Sequence, residues 1–561
     1  MTDNYTNGSG SIILHNSGDS FMFNHGDGLT NGIYGIKNGT DGRTYNLQTR
    51  SEYDSSALIQ IDDTGKNHQT YGIYSNLATN AYQLNMGVNQ LSTEKKATIN
   101  IHTTQTSAYG IYVPNTGTQF EAINAYTSEP QATSLIGNHA PSNLTGLISI
   151  RQEADMGAAG MYMTASNSTL INAQYNGSGI AYDSGDYQST TKGIIEILNE
   201  GSGTSYAMFS NGEMNNAVIS STNGQKVEGI IKMLNLTDGT VYGMNGQTTK
   251  NLSTENISSK ILISNLGTGN AMGIASSNAI NSGLIQIKRN NFVTEGNESY
   301  VADNGRGGKS YGMYTTNRAI NWENSGKIEI SAASSGYGMY SYKNAPNTED
   351  ILVNSGTIEI SDVDTGAGIL YCNSGRGTIT NSGTITVSGT NVYGIYFKGD
   401  STVNNEGIIN VSGTNAFGIY HEGAGGTIIN SGTITVNGNE WSGTNVNETG
   451  SPIIVLNGST LINANLVSAK SFNTASLGGN VITTANSKWD IANEFSGPLG
   501  VSANLTTQGF NTTYVAKDMI NAGDTSGLQL KSQSALFDAS LADNGHDVVM
   551  KMKGFETVTD N

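Results

Sequence analysis

The chain has 561 residues, 71 of them glycine, 6 proline and 1 cysteine, and a formal net charge of −18. That charge excludes the basic face with which a protein displaces counterions from nucleic acid. Cys372 alone cannot close an intrachain disulfide, and no apolar run reaches the roughly 18 residues of a membrane-spanning helix.

Abundant glycine with a regular apolar pattern points to a turn-dense β structure rather than a linker. The first residues, MTDNYTNGSG, have neither a basic nor an apolar segment of the kind that opens a secretory signal. If the protein is exported, this numbering is expected to begin after the signal. The near-absence of cysteine suits a chain that is exported across a membrane unfolded, and equally a low-cysteine cytosolic protein.

Residues 1–36 already resemble one coil of a repeat. Ile12-Ile13-Leu14 leads through a glycine-rich turn to Ile33-Tyr34-Gly35-Ile36. The tetrad Tyr-Gly-Ile-Tyr, or a variant of it, then recurs with its second residue at Gly35, Gly72, Gly110, Gly160, Ala207, Gly243, Gly273, Gly312, Gly338, Gly368, Gly394 and Gly418. Two units in 382–420 show the period most clearly, Thr384-Ile385-Thr386-Val387 matching Ile408-Ile409-Asn410-Val411. Each unit carries three short apolar runs between turns. A unit this small cannot bury its own apolar face and must stack on its neighbours. The expected fold is all-β, a right-handed parallel β-helix with each strand of a coil pairing to its equivalent in the next.

Side chains alternate across a strand, so tetrad positions one and three are expected to share a face. Position three is always Ile or Met and position one is never charged, so both are predicted to be buried. Position four accepts Lys37, Asn245 and Ala275, so it should face solvent. Its aromatics, Tyr74, Tyr112, Tyr162, Phe209, Tyr314, Tyr340, Tyr396 and Tyr420, are the candidate ligand-binding residues. An exposed Tyr offers an apolar ring and a hydroxyl to a sugar or a protein. Stacking between coils is the plainer role for the same residues.

The repeat is interrupted twice. Segment 113–146 holds Pro114, Pro130 and Pro141 and is expected to leave the sheet as a loop, because proline cannot donate to a ladder. Segment 289–310, polar and glycine-rich, is a second expected insertion. From Gly312 to Gly418 the steps tighten to 26, 30, 26 and 24 residues. Asn-Ser-Gly begins at Asn324, Asn354, Asn381 and Asn430, with Asn405-Glu406-Gly407 in its place once. Stacked about 4.8 Å apart, these asparagines could form an amide ladder.

Residues 1–440 are thus assigned to the β-helix, and 441–499 to a continuation with irregular coils that opens on a loop, 437–450. Residues 500–561 are assigned to a C-terminal cap. There Asn544-Gly545 lies between two strand-like runs and signals a hairpin. A solenoid needs its open edge covered.

Repeats such as NSGTITVSGTNVYGIY with the tail SALFDASLADNGHDVVMKMKGF resemble the passenger domains of large type V autotransporter adhesins of fusobacteria and related anaerobes. The repeat covers about residues 10–440 and the tail about 515–560. The resemblance implies a passenger, or part of one, with an autochaperone-like C-terminal region. It implies attachment to an outer-membrane β-barrel that this chain lacks. It also implies a place on the surface of a Gram-negative bacterium, or release after cleavage. The partners it implies are a receptor or glycan on a host cell or another bacterium, with no nucleic acid, and a monomer is expected.

Few residues suggest catalysis. Gly18-Asp19-Ser20-Phe21 resembles the nucleophile block of GDSL-type esterases, and Asp543 and His546 have that family's D-x-x-H spacing. They lie at opposite ends of the repeat, whereas a nucleophile and its base must come within hydrogen-bond reach. The seven histidines form no zinc motif. Glu329 and Glu359 share a coil position that could place two carboxylates at glycosidase spacing, though solvent-facing glutamates are the plainer reading. The chain is therefore expected to be neither an enzyme nor a metal or cofactor protein. The alternative is a polysaccharide-degrading β-helix, a lyase or depolymerase, which would cluster Asp, Glu, Arg and Lys on one strand face across adjacent coils. No such cluster is visible in the sequence.

Overall fold

A computed structural model describes residues 11–16, 32–38, 46–50, 57–66, 68–75, 83–89, 95–114, 121–128, 144–176, 190–219, 226–303, 305–316, 319–343, 349–373, 376–423, 425–438, 454–456, 458–502 and 513–553. Their regular structure is β throughout, apart from one 3-10 turn at Thr474–Leu477. The chain divides into two units, Met1–Tyr314 with Gly326–Ser334, and Thr315–Ser325 with Ser335–Asn561.

In the first unit, strands that follow one another in sequence belong to different ladders. Ala57–Asp63, Lys95–Thr103, Leu144–Gln152, Thr190–Asn199, Lys226–Asn235 and Ile257–Asn265 pair in parallel as the first ladder. Gln69–Ser75, Ser107–Val113, Ala158–Met163 and the start of Ser205–Ile219 form the second. Gln83–Asn89, Glu121–Ser128, Thr169–Asn176 and the end of Ser205–Ile219 form the third. Three parallel ladders wound in turn are a parallel β-helix, and right-handed crossovers are the rule for parallel strands. The second unit repeats the plan. Its third ladder runs from Asn321–Asn324 through Asp350–Asn354, Gly377–Asn381, Thr402–Asn405 and Thr427–Asn430 to Thr460–Asn463 and Asn480–Thr484.

The core is built from columns. In the first unit Ile59, Ile99, Ile148, Ile195, Ile231, Ile261 and Ile285 lie in register on the first ladder, and all are fully buried. In the second, Ile358, Ile385, Ile409 and Ile434 do the same. Burying each side chain contributes roughly 1.5–3 kcal/mol before the entropy of ordering it.

These columns explain the tetrad glycine. A Cβ on Gly72 would lie 2.5 Å from Ile99 Cγ2 and 2.6 Å from the carbonyl oxygen of Gly110; on Gly394 it would lie 2.4 Å from Ile409 Cγ2 and 2.5 Å from that of Gly418. The isoleucine methyl fills the space that a side chain would need. The glycine therefore points inward, and the register passes over it, pairing Tyr393 with Phe417 and Ile395 with Ile419.

Alternation fails at this corner, and one expectation is corrected. Position three is buried as predicted, with Ile73, Ile111, Met161, Ile369, Ile395 and Ile419 all at 0–1% exposure. Position one is mixed: Tyr71, Ala159, Met272, Tyr311 and Ala367 are buried as predicted, whereas Tyr109, Tyr206, Tyr242, Tyr337, Tyr393 and Phe417 are only half-buried and pack into the outer aromatic ladder. The physical reason is that positions two and three both turn inward at the glycine bend.

The amide ladder forms and is longer than the Asn-Ser-Gly repeats indicated. In the second unit the side chain of Asn324 donates to that of Asn354, and so on through Asn381, Asn405 and Asn430 to Asn463, at 2.7–2.8 Å. The first unit has two such ladders. One joins Asn124, Asn172, Asn216, Asn251 and Asn281, and the other joins Asn199, Asn235 and Asn265.

Within 113–146, Glu121–Ser128 is a ladder strand rather than loop. Residues 115–120 and 129–143 lie outside the described residues. Segment 289–310 leaves the ladders after Lys288 and rejoins them at Gly307–Thr315, where Ser310 pairs with Ala271. Phe292–Val293 and Ser299–Tyr300 pair with each other as a small antiparallel hairpin. Of the expected loop 437–450, residues from 439 onward lie outside the described ones. Near the C-terminus, Ile520–Asp524 and Leu528–Ser532 still pair in parallel with Lys488–Ser502. Thr513–Ala516, Val548–Met552 and Phe537–Leu541 instead form a three-stranded antiparallel sheet. Its hairpin turns at Asn544-Gly545 as the sequence indicated, Gly545 having φ 72°.

Candidate functional site: an outward aromatic ladder and a charged groove

The predicted aromatics fall into groups. Tyr74, Tyr112, Tyr162 and Phe209 form one stack, with ring centroids 5.6, 5.3 and 4.5 Å apart and planes within 16° of parallel. Phe209 is followed in register by Asn245 and then Ala275, so the stack ends there. Tyr396 and Tyr420 form a second stack at 5.1 Å. Tyr314 packs on Tyr311 and Tyr340 on Tyr337, at 4.8 and 5.0 Å. Edge contacts such as Tyr109 to Tyr112 at 4.9 Å tie position one to position four, so the ladder is two rings wide. Tyr74 is itself buried, at 3% exposure.

This geometry changes what the ladder can offer. Rings stacked face to face engage their faces with one another. Solvent meets ring edges and hydroxyls repeated at the coil spacing, not the flat faces a sugar ring would stack on. Burial raises the pKa of the Tyr112 and Tyr162 hydroxyls and takes Tyr109 to about 12. The ladder is therefore uncharged at neutral pH. Tyr396 donates to Glu422, which also holds Lys398 at 2.8 Å.

A second feature escaped the sequence reading. On the outer face of the first ladder, Asp62, His102 and Arg151 are neighbours in register, and so are Asn100, Ser149, Glu196 and Lys232. His102 lies between Asp62 at 3.0 Å and Glu153 at 2.9 Å. Arg151 bonds Glu200 at 2.7 Å and lies 3.3 Å from Glu153.

The hairpin of 289–310 folds back over this face. Phe292 is buried against Leu198 and Leu234. The backbone N–H of Glu295 donates to Glu196 at 3.0 Å, and Lys232 pairs with the Glu295 carboxylate. Hairpin and sheet enclose a groove of 390 Å³, lined on the sheet side by Leu147, Ser149, Glu196 and Leu198 and on the hairpin side by Thr294, Glu295 and Glu298. Burial pushes the Glu196 carboxyl up, against the pull of the Glu295 N–H and Lys232.

Aligning the strands on their buried Ile61, Ile101, Ile150 and Ile197 would have put Asp62, His102 and Arg151 in one row. Nothing in that alignment brings in a hairpin some hundred residues later. The cluster meets the description set for a polysaccharide-cleaving β-helix in residue type, but Arg151 is already paired with Glu200, Lys232 with Glu295, and His102 lies between Asp62 and Glu153.

The remaining candidates each have other partners or lie outside the described residues. Ser20 lies outside the described residues, and His546 Nδ1 faces the carbonyl of Ile520 at 2.8 Å. Glu329 accepts from Lys288 at 2.7 Å and Gln286 at 2.8 Å. Although burial opposes it, those partners hold its carboxyl below the usual range.

Residues 366–466 match the family described as the BigA third pectate lyase-like domain. It is a parallel β-helix family of bacterial surface proteins. The match covers the regular coils that carry Tyr396, Tyr420 and the amide ladder from Asn381 to Asn463. The "lyase-like" name conveys a fold relationship. No curated protein matches the chain, and no solved structure matches it.

Proposed function

We propose that this chain is the surface-exposed passenger of a bacterial autotransporter, acting as an adhesin or adhesin stalk in attachment to host cells or other bacteria. The observation that carries the reading is the outward stack of Tyr112, Tyr162 and Phe209 on a β-helix, continued inward by the buried Tyr74. The match to a domain family of bacterial surface proteins supports the location. In this reading the passenger is monomeric and has no catalytic activity of its own. It is held by an outer-membrane β-barrel outside this chain, or released from it by cleavage. Its partner is a glycan or surface protein that meets ring edges and hydroxyls along the ladder.

The test compares beads coated with the 561-residue chain and with two variants for attachment to bacterial cells, epithelial cells and immobilised glycans. One variant has Tyr112 and Tyr162 changed to Phe, which keeps the stack and removes the hydroxyls. The other has both changed to Ser. Attachment should fall about tenfold in the Ser variant, as for residues at the centre of an interface, and part of that loss should appear in the Phe variant. Undiminished attachment by a folded Ser variant would leave the ladder as architecture and the chain as a spacer.

A further inference from the structure

The outer ladder is a row of phenols, and a phenol is a side chain that gives up one electron readily. Coupling two phenols by oxidation has two requirements. The rings must lie against each other, and something must take the hydroxyl proton, because a phenol that has lost an electron is a strong acid.

Tyr396 and Tyr420 meet both. They are register partners in adjacent coils and are half-buried. Their ring centroids lie 5.1 Å apart with planes 6° from parallel. The Tyr396 hydroxyl donates to the Glu422 carboxylate, which Lys398 also bonds at 2.8 Å. Lys398 and Tyr396 hold the Glu422 carboxyl below its ordinary range, so it is ionised and able to accept a proton. Burial, and then the bond to Glu422, push the Tyr396 hydroxyl up. It is therefore a neutral phenol at neutral pH, and its proton must leave with the electron. Tyr112 and Tyr162 stack as closely, at 5.3 Å and 5°. Among the described residues no carboxylate accepts from either of their hydroxyls.

We propose that Tyr396 and Tyr420 are an oxidative modification site, at which hydrogen peroxide acting through a haem peroxidase joins the two rings as dityrosine. Each tyrosine loses one electron and one proton, Tyr396 giving its proton to Glu422 and Tyr420 giving its proton to water. The two phenoxyl radicals form a bond between ring carbons ortho to the hydroxyls. The hydrogens on those carbons then move to the oxygens and restore both phenols. The protein is oxidised by two electrons, and hydrogen peroxide takes them with the two protons and becomes two waters. The product ties one coil to the next in a chain whose single cysteine cannot do so by an intrachain disulfide.

The experiment treats the dilute full chain with hydrogen peroxide and a haem peroxidase, isolates the monomer, and measures its intact mass and tryptic map. The monomer should lose the mass of two hydrogen atoms. Residues 377–398, which hold Tyr396, should be found joined to residues 399–470, in which Tyr420 is the tyrosine. Tyr420→Phe keeps a stacked ring and should abolish the link. Glu422→Gln should slow its formation about tenfold, less than the roughly 10²–10⁴ of a general base because water can also take the proton. Tyr112→Phe should leave the rate unchanged.

Cys372 is near enough to Tyr396 to raise its hydroxyl further. A link from Tyr396 to residues 344–376, which hold Cys372, would be a thioether, and would overturn the proposal. So would an oxidised monomer without a link, a rate indifferent to Glu422→Gln, or coupling of Tyr112 to Tyr162 as fast as that of Tyr396 to Tyr420.

Discussion

The glycine corner and the asparagine corner of the coil treat repetition in opposite ways. At the first, an isoleucine methyl fits against a residue without a side chain, as Ile409 does against Gly394. Each contact is local, and the column survives one exception, the fully buried Ala207. At the second, every amide is donor to the next and acceptor from the one before, from Asn324 to Asn463. A missing member there orphans two buried groups. Over those six coils the turn residue after asparagine changes from Ser325 to Glu406 and Ala464, while the asparagine does not change. The outer aromatic ladder, which has water as an alternative partner, is interrupted freely at Asn245, Ala275 and Leu370. Shape contacts thus tolerate a local exception, whereas the buried hydrogen-bond chain from Asn324 to Asn463 keeps one residue type throughout.

The largest effect should come from charge placed beside the glycine corner. Ile395 is fully buried, so Ile395→Asp would put an unpaired carboxylate in the core at a cost of about 4 kcal/mol or more. Damage in a stacked-repeat fold should be local. Hydrogen exchange should accelerate first across 384–422, and uniform loss of protection through the whole chain would contradict that.

Gly394→Ala should rank next, at about 3 kcal/mol, because Ile409 or the backbone of Gly418 must shift to admit the methyl. Chemical denaturation that shows no loss would mean that the corner relaxes as it does around Ala207. Asn405→Ala should cost about 2 kcal/mol. It leaves the Asn381 amide without its acceptor and Asn430 Oδ1 without its donor. Asn391→Ala removes a half-buried, partly exposed pair with Asn415 and should cost less. Equal losses at the two sites would erase the distinction between inner and outer ladders.

The sequence disclosed the coil, the three strands and the amide ladder because each repeats a residue type at a fixed step. The Asn324, Asn354, Asn381, Asn405 and Asn430 series could be read directly. The glycine corner could not, since alternation assigns Gly394 to the outside and only the isoleucine column of the neighbouring ladder shows why it turns in. Tyr393 and Tyr396 were therefore split between two faces although their rings meet at 5.2 Å. The position-four aromatics were identified, but not that their faces would be used against each other. The groove was illegible for a different reason. It joins Asp62, His102 and Arg151, which share a column, to Glu295 and Glu298, which lie in an insertion with no repeat partner.

The smallest effect tests the outer surface by pH. Lys398 and the Tyr396 hydroxyl hold the Glu422 carboxyl below its ordinary value of 4.5, with burial opposing them. A carboxyl depressed in the folded state stabilises it above the unfolded pKa, and that contribution is lost as pH falls through the folded pKa. The side chain is 47% exposed, so solvent screening limits the contribution to less than about 1 kcal/mol. Glu422→Gln should therefore lower the melting temperature slightly at pH 7, and the gap from wild type should close as pH falls through and below the value for a free carboxyl. Tyr396→Phe should take away part of the same gap, since it removes one of the two donors while leaving the ring stacked on Tyr420. A gap that persists unchanged in acid would assign the effect to packing of the Glu422 stem, and the outer ladder would then owe nothing to its charge.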